Sequence, residues 1–290
     1  MRGVFIDDQG AVRNGWRILE FAALLGVVGY GTAPLAHLWP VAWQGLLPGR
    51  WFDVALCLVV TWLCLRTEGA SLVEVGLRTD RRFSLEVALG ALGGFALMLV
   101  TAGLIRGLGG FHWIRTPGTG PADLASGAWF FLAVACFEEL LFRGYAFQRT
   151  VRGLGFAAAQ IVFALLFAWV HWDNPGMVGA TKAWATLNIA LASLLLAFCW
   201  RRTGSLALPI GVHLGWNWTQ GNLLGFGVSG TEAPGWWTPI FHGRPEWLTG
   251  GAFGLEASAA CALVCGAALL GLWRWKGVAP SGGSSTASGS

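Results

Sequence analysis

The stretch Leu124–Thr150, LASGAWFFLAVACFEELLFRGYAFQRT, decides the fold. Most of it is apolar, and it is long enough to cross about 30 Å of hydrocarbon as a helix. Yet it carries Glu138, Glu139 and Arg143. Charges at that depth are costly and usually functional. Successive helical residues turn by about 100°, so adjacent glutamates cannot point the same way. Arg143 lies four residues beyond Glu139, one turn on and in the favourable order for an ion pair. Glu139 and Arg143 are therefore expected to pair, fixing the helix face and leaving Glu138 less neutralised. A carboxylate in an apolar cleft can act as a general base. The competing reading is an ion-pair network that glues helices together.

The rest of the chain supports a membrane setting. Of 290 residues, 12% are charged and 55% hydrophobic. Soluble domains carry roughly 25% charged residues, and disorder needs low hydrophobicity. The expected class is all-α and polytopic. Apolar runs occur at 17–38, 52–65, 84–106, 124–148, 155–172, 183–200, 205–224 and 253–273, giving about eight transmembrane helices. The second is short for a full span. Residues 1–279 read as one integral membrane domain and 280–290, rich in Ser and Gly, as a disordered tail or a cloning remnant. The first fifteen residues have no apolar core, so no cleavable signal peptide is expected. The 43 glycines, with no three-residue period, suit close helix packing in lipid. The six cysteines lie in apolar stretches without a CxxC pair and read as small packing residues. The net charge of +4 calls for no nucleic-acid partner.

Two further apolar segments carry polar residues. FAWVHWDNP places Phe167 and His171 four apart on one face. SLALPIGVHLGWNWTQGN places His213 and Asn217 in the same relation, with Gly211, Gly215 and Gly221 thinning the helix. An imidazole and a carboxamide one turn apart can bind a metal, hold a water, or donate to a developing oxyanion. Taken singly, each is matched by a plain alternative, an interfacial histidine or interhelical hydrogen bonding. Together, two Glu, one Arg, two His and one Asn converge from helices 4, 5 and 7, and a shared polar site is the simplest account. Asn188, Gln160, Glu86 and Glu256 are single polar residues, expected to support the site or to join helices.

These residues resemble a known family. EELLFR (Glu138–Arg143), Phe167–His171 and His213–Asn217 match, in order and spacing, the EExxxR, FxxxH and HxxxN motifs of the CPBP intramembrane metalloproteases, which include the CAAX prenyl endopeptidases and the Abi bacteriocin-processing proteins. GWRILEF near the start, VGLR at 75–78 and GGAFGLE at 250–256 resemble weaker family features. The resemblance implies an eight-span helical fold and a peptide-bond hydrolase acting on a membrane-associated protein or peptide. It implies Glu138 as the base that activates water, His171 as its partner, and His213 with Asn217 as the oxyanion or metal side. Glu139 and Arg143 become supporting structure. Glu138, His171 and His213 make a plausible zinc set with an open position, while a metal-free glutamate mechanism uses the same residues.

With the N-terminus inside, 13 of the 19 basic residues fall inside and five outside, with Arg143 in a helix. That bias predicts cytoplasmic termini, in keeping with a bacterial inner membrane. Trp16, Trp39, Trp51, Trp172, Trp200, Trp273 and Trp275 sit near span ends as an interfacial belt would. Segment 67–83 reads as an amphipathic surface piece beside anionic lipid or as a solvated basic loop. The loop 225–252 is expected to fold back onto the membrane face. Spacing leaves open which side the site faces, since His171 is 19 residues past Arg152 but Glu138 only 11 before Arg149; the resemblance suggests the cytoplasm. Two other classes remain, an ion- or proton-coupled transporter and a catalytically inactive scaffold. No inverted repeat supports the first, and the intact polar set argues against the second.

Overall fold

The structure, a computed structural model, describes residues 2–7, 10–32, 49–232 and 234–277. Part of the first expected helix (33–38), Trp39 and the 280–290 tail lie outside these residues. A short helix α1 (Arg2–Phe5) precedes α2 (Asn14–Thr32), α3 (Arg50–Thr67) and α4 (Arg81–Gly107). A strand β1 (Phe111–Arg115) leads to α5 (Pro121–Arg143), α6 (Tyr145–Leu154), α7 (Phe156–Trp169), α8 (Gly179–Thr203) and α9 (Ala207–Trp218). After a π turn come β2 (Trp237–Phe241), the short α10 (Glu246–Thr249) and α11 (Ala259–Arg274). Each of the eight apolar segments thus contains helix. Among the described residues, Arg81–Gly107, Pro121–Leu154 and Gly179–Thr203 are long and apolar enough to cross a membrane; α7 and α11 are apolar but shorter.

Local chemistry sets the boundaries. Asp80 caps α4 by accepting a hydrogen bond from the Phe83 amide at 2.8 Å. Pro121 opens α5, where its missing N–H costs nothing. Ser258 caps α11 through the Cys261 amide. The apolar run therefore starts six residues later than its first apolar residue, because 253–258 is spent in tight turns.

Segment 124–148 is not one helix. It breaks at Gly144, where a Cβ would lie 2.1 Å from the Leu140 carbonyl oxygen. That contact leaves room for hydrogen alone, so the chain closes on itself there before α6 begins. The break removes the premise of one straight helix behind the sequence-derived depth mismatch. Segment 67–83 forms a single 3₁₀ turn, Leu72–Val75, and then docks on the turn between α8 and α9, with the Leu206 amide donating to the Gly76 carbonyl at 3.0 Å.

The closest helix pairing is α4 with α9. A Cβ on Gly94 would meet the Val212 carbonyl oxygen at 2.1 Å, and one on Gly215 the Ala91 carbonyl oxygen at 2.0 Å. Backbone packs on backbone, which needs small residues four apart. His213 is two residues from both Gly211 and Gly215, about 200° round the helix. The glycine face therefore turns His213 and Asn217 towards the bundle interior.

Helix ends sort into two groups. The start of α2, the end of α3 and α6 meet where Arg17 and Arg149 both pair with Glu68. Arg82 at the start of α4 reaches the Thr203 carbonyl at the end of α8. Arg202 reaches the Leu272 carbonyl near the end of α11, and Arg201 lies over the Phe156 ring at the start of α7. These form an arginine-rich end. At the opposite end β1 and β2 make an antiparallel ribbon, Phe111 facing Phe241 and Arg115 facing Trp237. The ribbon gives structure to the loop 225–252: the Trp113 indole donates to the Leu224 carbonyl and the Arg115 guanidinium to the Trp236 carbonyl.

Gly215→Val should force α4 and α9 apart and cost about 1–3 kcal/mol of stability. Gly266→Val in α11, where an added Cβ meets nothing within 4 Å, should be close to neutral. Thermal unfolding of both variants in detergent checks the contrast; equal melting would refute the packing.

Candidate active site

Arg143 is 1% and Glu139 0% exposed. Their ion pair forms as the spacing predicts, Arg143 Nη1 to Glu139 Oε1 at 3.0 Å. Arg143 Nη2 also donates to the Ser193 carbonyl of α8 at 3.2 Å, and the guanidinium lies 4.7 Å from the centre of the Phe167 ring. One buried cation thus ties α5, α7 and α8. Ser193 was not legible in the sequence, since it contributes a backbone oxygen that any residue carries.

Glu139 also reaches α9, where His213 Nδ1 lies 2.9 Å from the same Oε1. With the carboxylate as acceptor, the proton sits on Nδ1, which leaves Nε2 with its lone pair. Nε2 faces Glu138, 3.7 Å from Oε2. That separation is too long for a direct hydrogen bond and suits a water held by both groups. Glu138 keeps 16% of its side chain exposed, so the two adjacent glutamates divide, one buried in the ion pair and one open to the site.

His171 is placed differently from the expectation that it partners Glu138. It lies in the turn after α7, and its Nδ1–H donates to the Phe167 carbonyl at 2.6 Å. It makes no ion pair with Glu138 within 4.0 Å; the imidazole beside that carboxylate is His213. The i to i+4 spacing is spent on this local bond. Phe167 packs edge-on against both imidazoles, 4.8 Å from His171 and 6.5 Å from His213.

Glu138, His171, His213 and Asn217 all line one cavity of about 770 Å³. Asn217 is 6% exposed, and its carboxamide has no hydrogen-bond partner among the described residues. Sequence reasoning missed Arg50 and Asn222 on the wall of the cavity. Asn222 is brought in by the π turn after α9, which periodicity does not reveal. The single polar residues mostly join elements. Asn188 donates to the Glu256 and Ser258 carbonyls, and the Glu256 carboxylate accepts from Trp216 and Ser229.

Glu138, His171 and His213 are not drawn together as metal ligands. Among the described residues no group of three or more His, Cys, Asp and Glu could hold an ion. His213 Nδ1 is engaged by Glu139 and His171 Nδ1 by a carbonyl, so each imidazole keeps its Nε2 lone pair. No step below passes through a metal.

Residues 120–219 match the family described as Type II CAAX prenyl endopeptidase Rce1-like. Over that stretch, about a third of its length, the chain is similar to the CAAX proteases. It begins at the start of α5 and ends after α9, so it covers all three motifs and the whole charged network. No curated protein and no solved structure matches the chain. That similarity and the three described helices of spanning length and apolarity support an integral membrane protein.

Arg143→Ala should lower stability by roughly 3–5 kcal/mol, because Glu139 would stay buried without its cation. The loss should appear as a marked drop in melting temperature in detergent; an unchanged value would show that the pair does not hold the bundle.

Proposed function

We propose that the chain hydrolyses a peptide bond of a membrane-associated protein or peptide, using a water activated by Glu138. The observation that carries this reading is the opening between Glu138 Oε2 and His213 Nε2 on the wall of the cavity. A water there donates one proton towards Glu138 and turns a lone pair to the substrate carbonyl. Glu138 takes the proton as the C–O bond forms, and later passes it to the leaving amine.

His213 is held for this task by Glu139, which fixes its tautomer. Arg143 pairs with Glu139 and holds it still. Asn217, one turn along α9, has free amide protons to donate to the oxyanion. His171, its Nδ1 proton spent on Phe167, keeps Nε2 as an acceptor for a water or for a substrate N–H. The apolar wall of Phe131, Phe137 and Leu195 suits an apolar segment of substrate and keeps bulk water away.

Glu138→Gln keeps shape and removes the base. Turnover of a quenched fluorogenic peptide library by purified protein in liposomes should fall by about 10²–10⁴ with the melting temperature unchanged. Near-normal turnover would reject Glu138 as the base.

Asn217→Ala should slow the same reaction by about 10²–10³, mostly in kcat. The wild-type rate should survive exhaustive chelation. Loss of that rate, with recovery on adding zinc, would replace the metal-free route.

A further inference from the structure

Every polypeptide segment lining the cavity lies in the bundle's middle or in the half away from the arginine-rich end. Arg50 stands at the start of α3 and Ser126 near the start of α5. His171 and Asn174 follow the end of α7, and Asn222 and Ser229 follow α9. All these positions belong to the ribbon end. The floor is formed by Phe142, Leu196 and Val212. Below it the interior is closed by Arg143, 1% exposed, and by Phe147, 0% exposed, whose ring packs on Trp200 at 5.4 Å.

Basic residues divide the same two ends by 13 to five. Short loops rich in Lys and Arg stay on the cytoplasmic side during insertion. The arginine-rich end is therefore cytoplasmic. We infer that the cavity opens on the face of the membrane away from the cytoplasm, and that its substrates are membrane-anchored or exported peptides presented from that side. This overrides the cytoplasmic opening suggested by the family resemblance, because here the packed plug and the charge bias lie at the same end. The substrate class rests on the hydrolytic reading above, whereas the sidedness does not.

The plug explains why access runs one way. A peptide approaching from the arginine-rich end would have to displace the Arg143 guanidinium from Glu139 and the Ser193 carbonyl, and part the Phe147–Trp200 contact. From the other end it meets the exposed Ser126 on α5, beyond the last basic residue of that wall, Arg50. The loop through Ser229 and Thr231 lies over this mouth, held by the Ser229 amide and hydroxyl to Glu256 at 2.8 and 3.0 Å.

Single cysteines read the sidedness directly. Ser126→Cys marks the mouth and Arg152→Cys the opposite end; both sites are exposed and outside the catalytic machinery. Sealed right-side-out spheroplasts of a bacterial host are treated with a membrane-impermeant maleimide. Ser126→Cys should label at least about 10-fold above wild type, whose cysteines are largely buried, and Arg152→Cys only after lysis. A second arm adds a cell-impermeant fluorogenic peptide library outside the spheroplasts, with wild type cleaving it and Glu138→Gln failing to. Labelling of Ser126→Cys only after lysis overturns the inference. So does a wild type that cleaves the peptides in detergent but not when they are outside sealed spheroplasts. If detergent-solubilised wild type cleaves nothing, the hydrolytic reading fails and the labelling alone decides the sidedness.

Discussion

A guanidinium buried in an apolar helical bundle has to be met on every side, and Arg143 imposes that demand on four helices. Its carboxylate partner comes from its own helix one turn back, its carbonyl partner from α8, and the ring beneath it from α7. The partner carboxylate then meets His213 of α9. Removing two charges from water is expensive, and only good geometry with further hydrogen bonds offsets it. The same contacts that satisfy the charge set the tautomer of His213 and leave Glu138 as the carboxylate open to the cavity. Stability and chemistry therefore share one set of atoms.

The glycine face of α9 supplies the complementary constraint. Arg143 can fix His213 only if α9 sits at one rotation, and the backbone contact with α4 permits little rotation. A side chain on Gly211 or Gly215 would push the helix inwards, towards the cavity. The Rce1-like match ends just past this helix, so the protease-like part of the chain is the part these two constraints organise, while α2, α3, α4 and α11 buttress it.

Much of this was legible in the sequence because it rests on helical periodicity. The Glu139–Arg143 pair, the separate placement of Glu138 and the common face of His213 and Asn217 all follow from spacings of one or four residues. What escaped was decided by atoms that carry no sequence signal or by contacts between distant segments. The His171 side chain is captured by the Phe167 carbonyl, and nothing in its type or spacing announces that it stands apart from Glu138. Gly144 looks like any of the other glycines until the closeness of the Leu140 carbonyl is known. The five-residue strands FHWIR and WTPIF are too short for alternation to stand out, and no turn joins them.

That last separation has a consequence for assembly. His112 and His242, which meet at the end of the ribbon, are 130 residues apart in the chain. Pairing at such a distance is slow to establish, and β2 leaves the ribosome only after α5 to α9 have been made. Those helices, with their costly buried charge, must insert and pack before the ribbon can draw the loop across the cavity mouth. The mouth thus takes shape only after those helices, and a half-made chain holds its polar centre together without the covering that later restricts what can reach it.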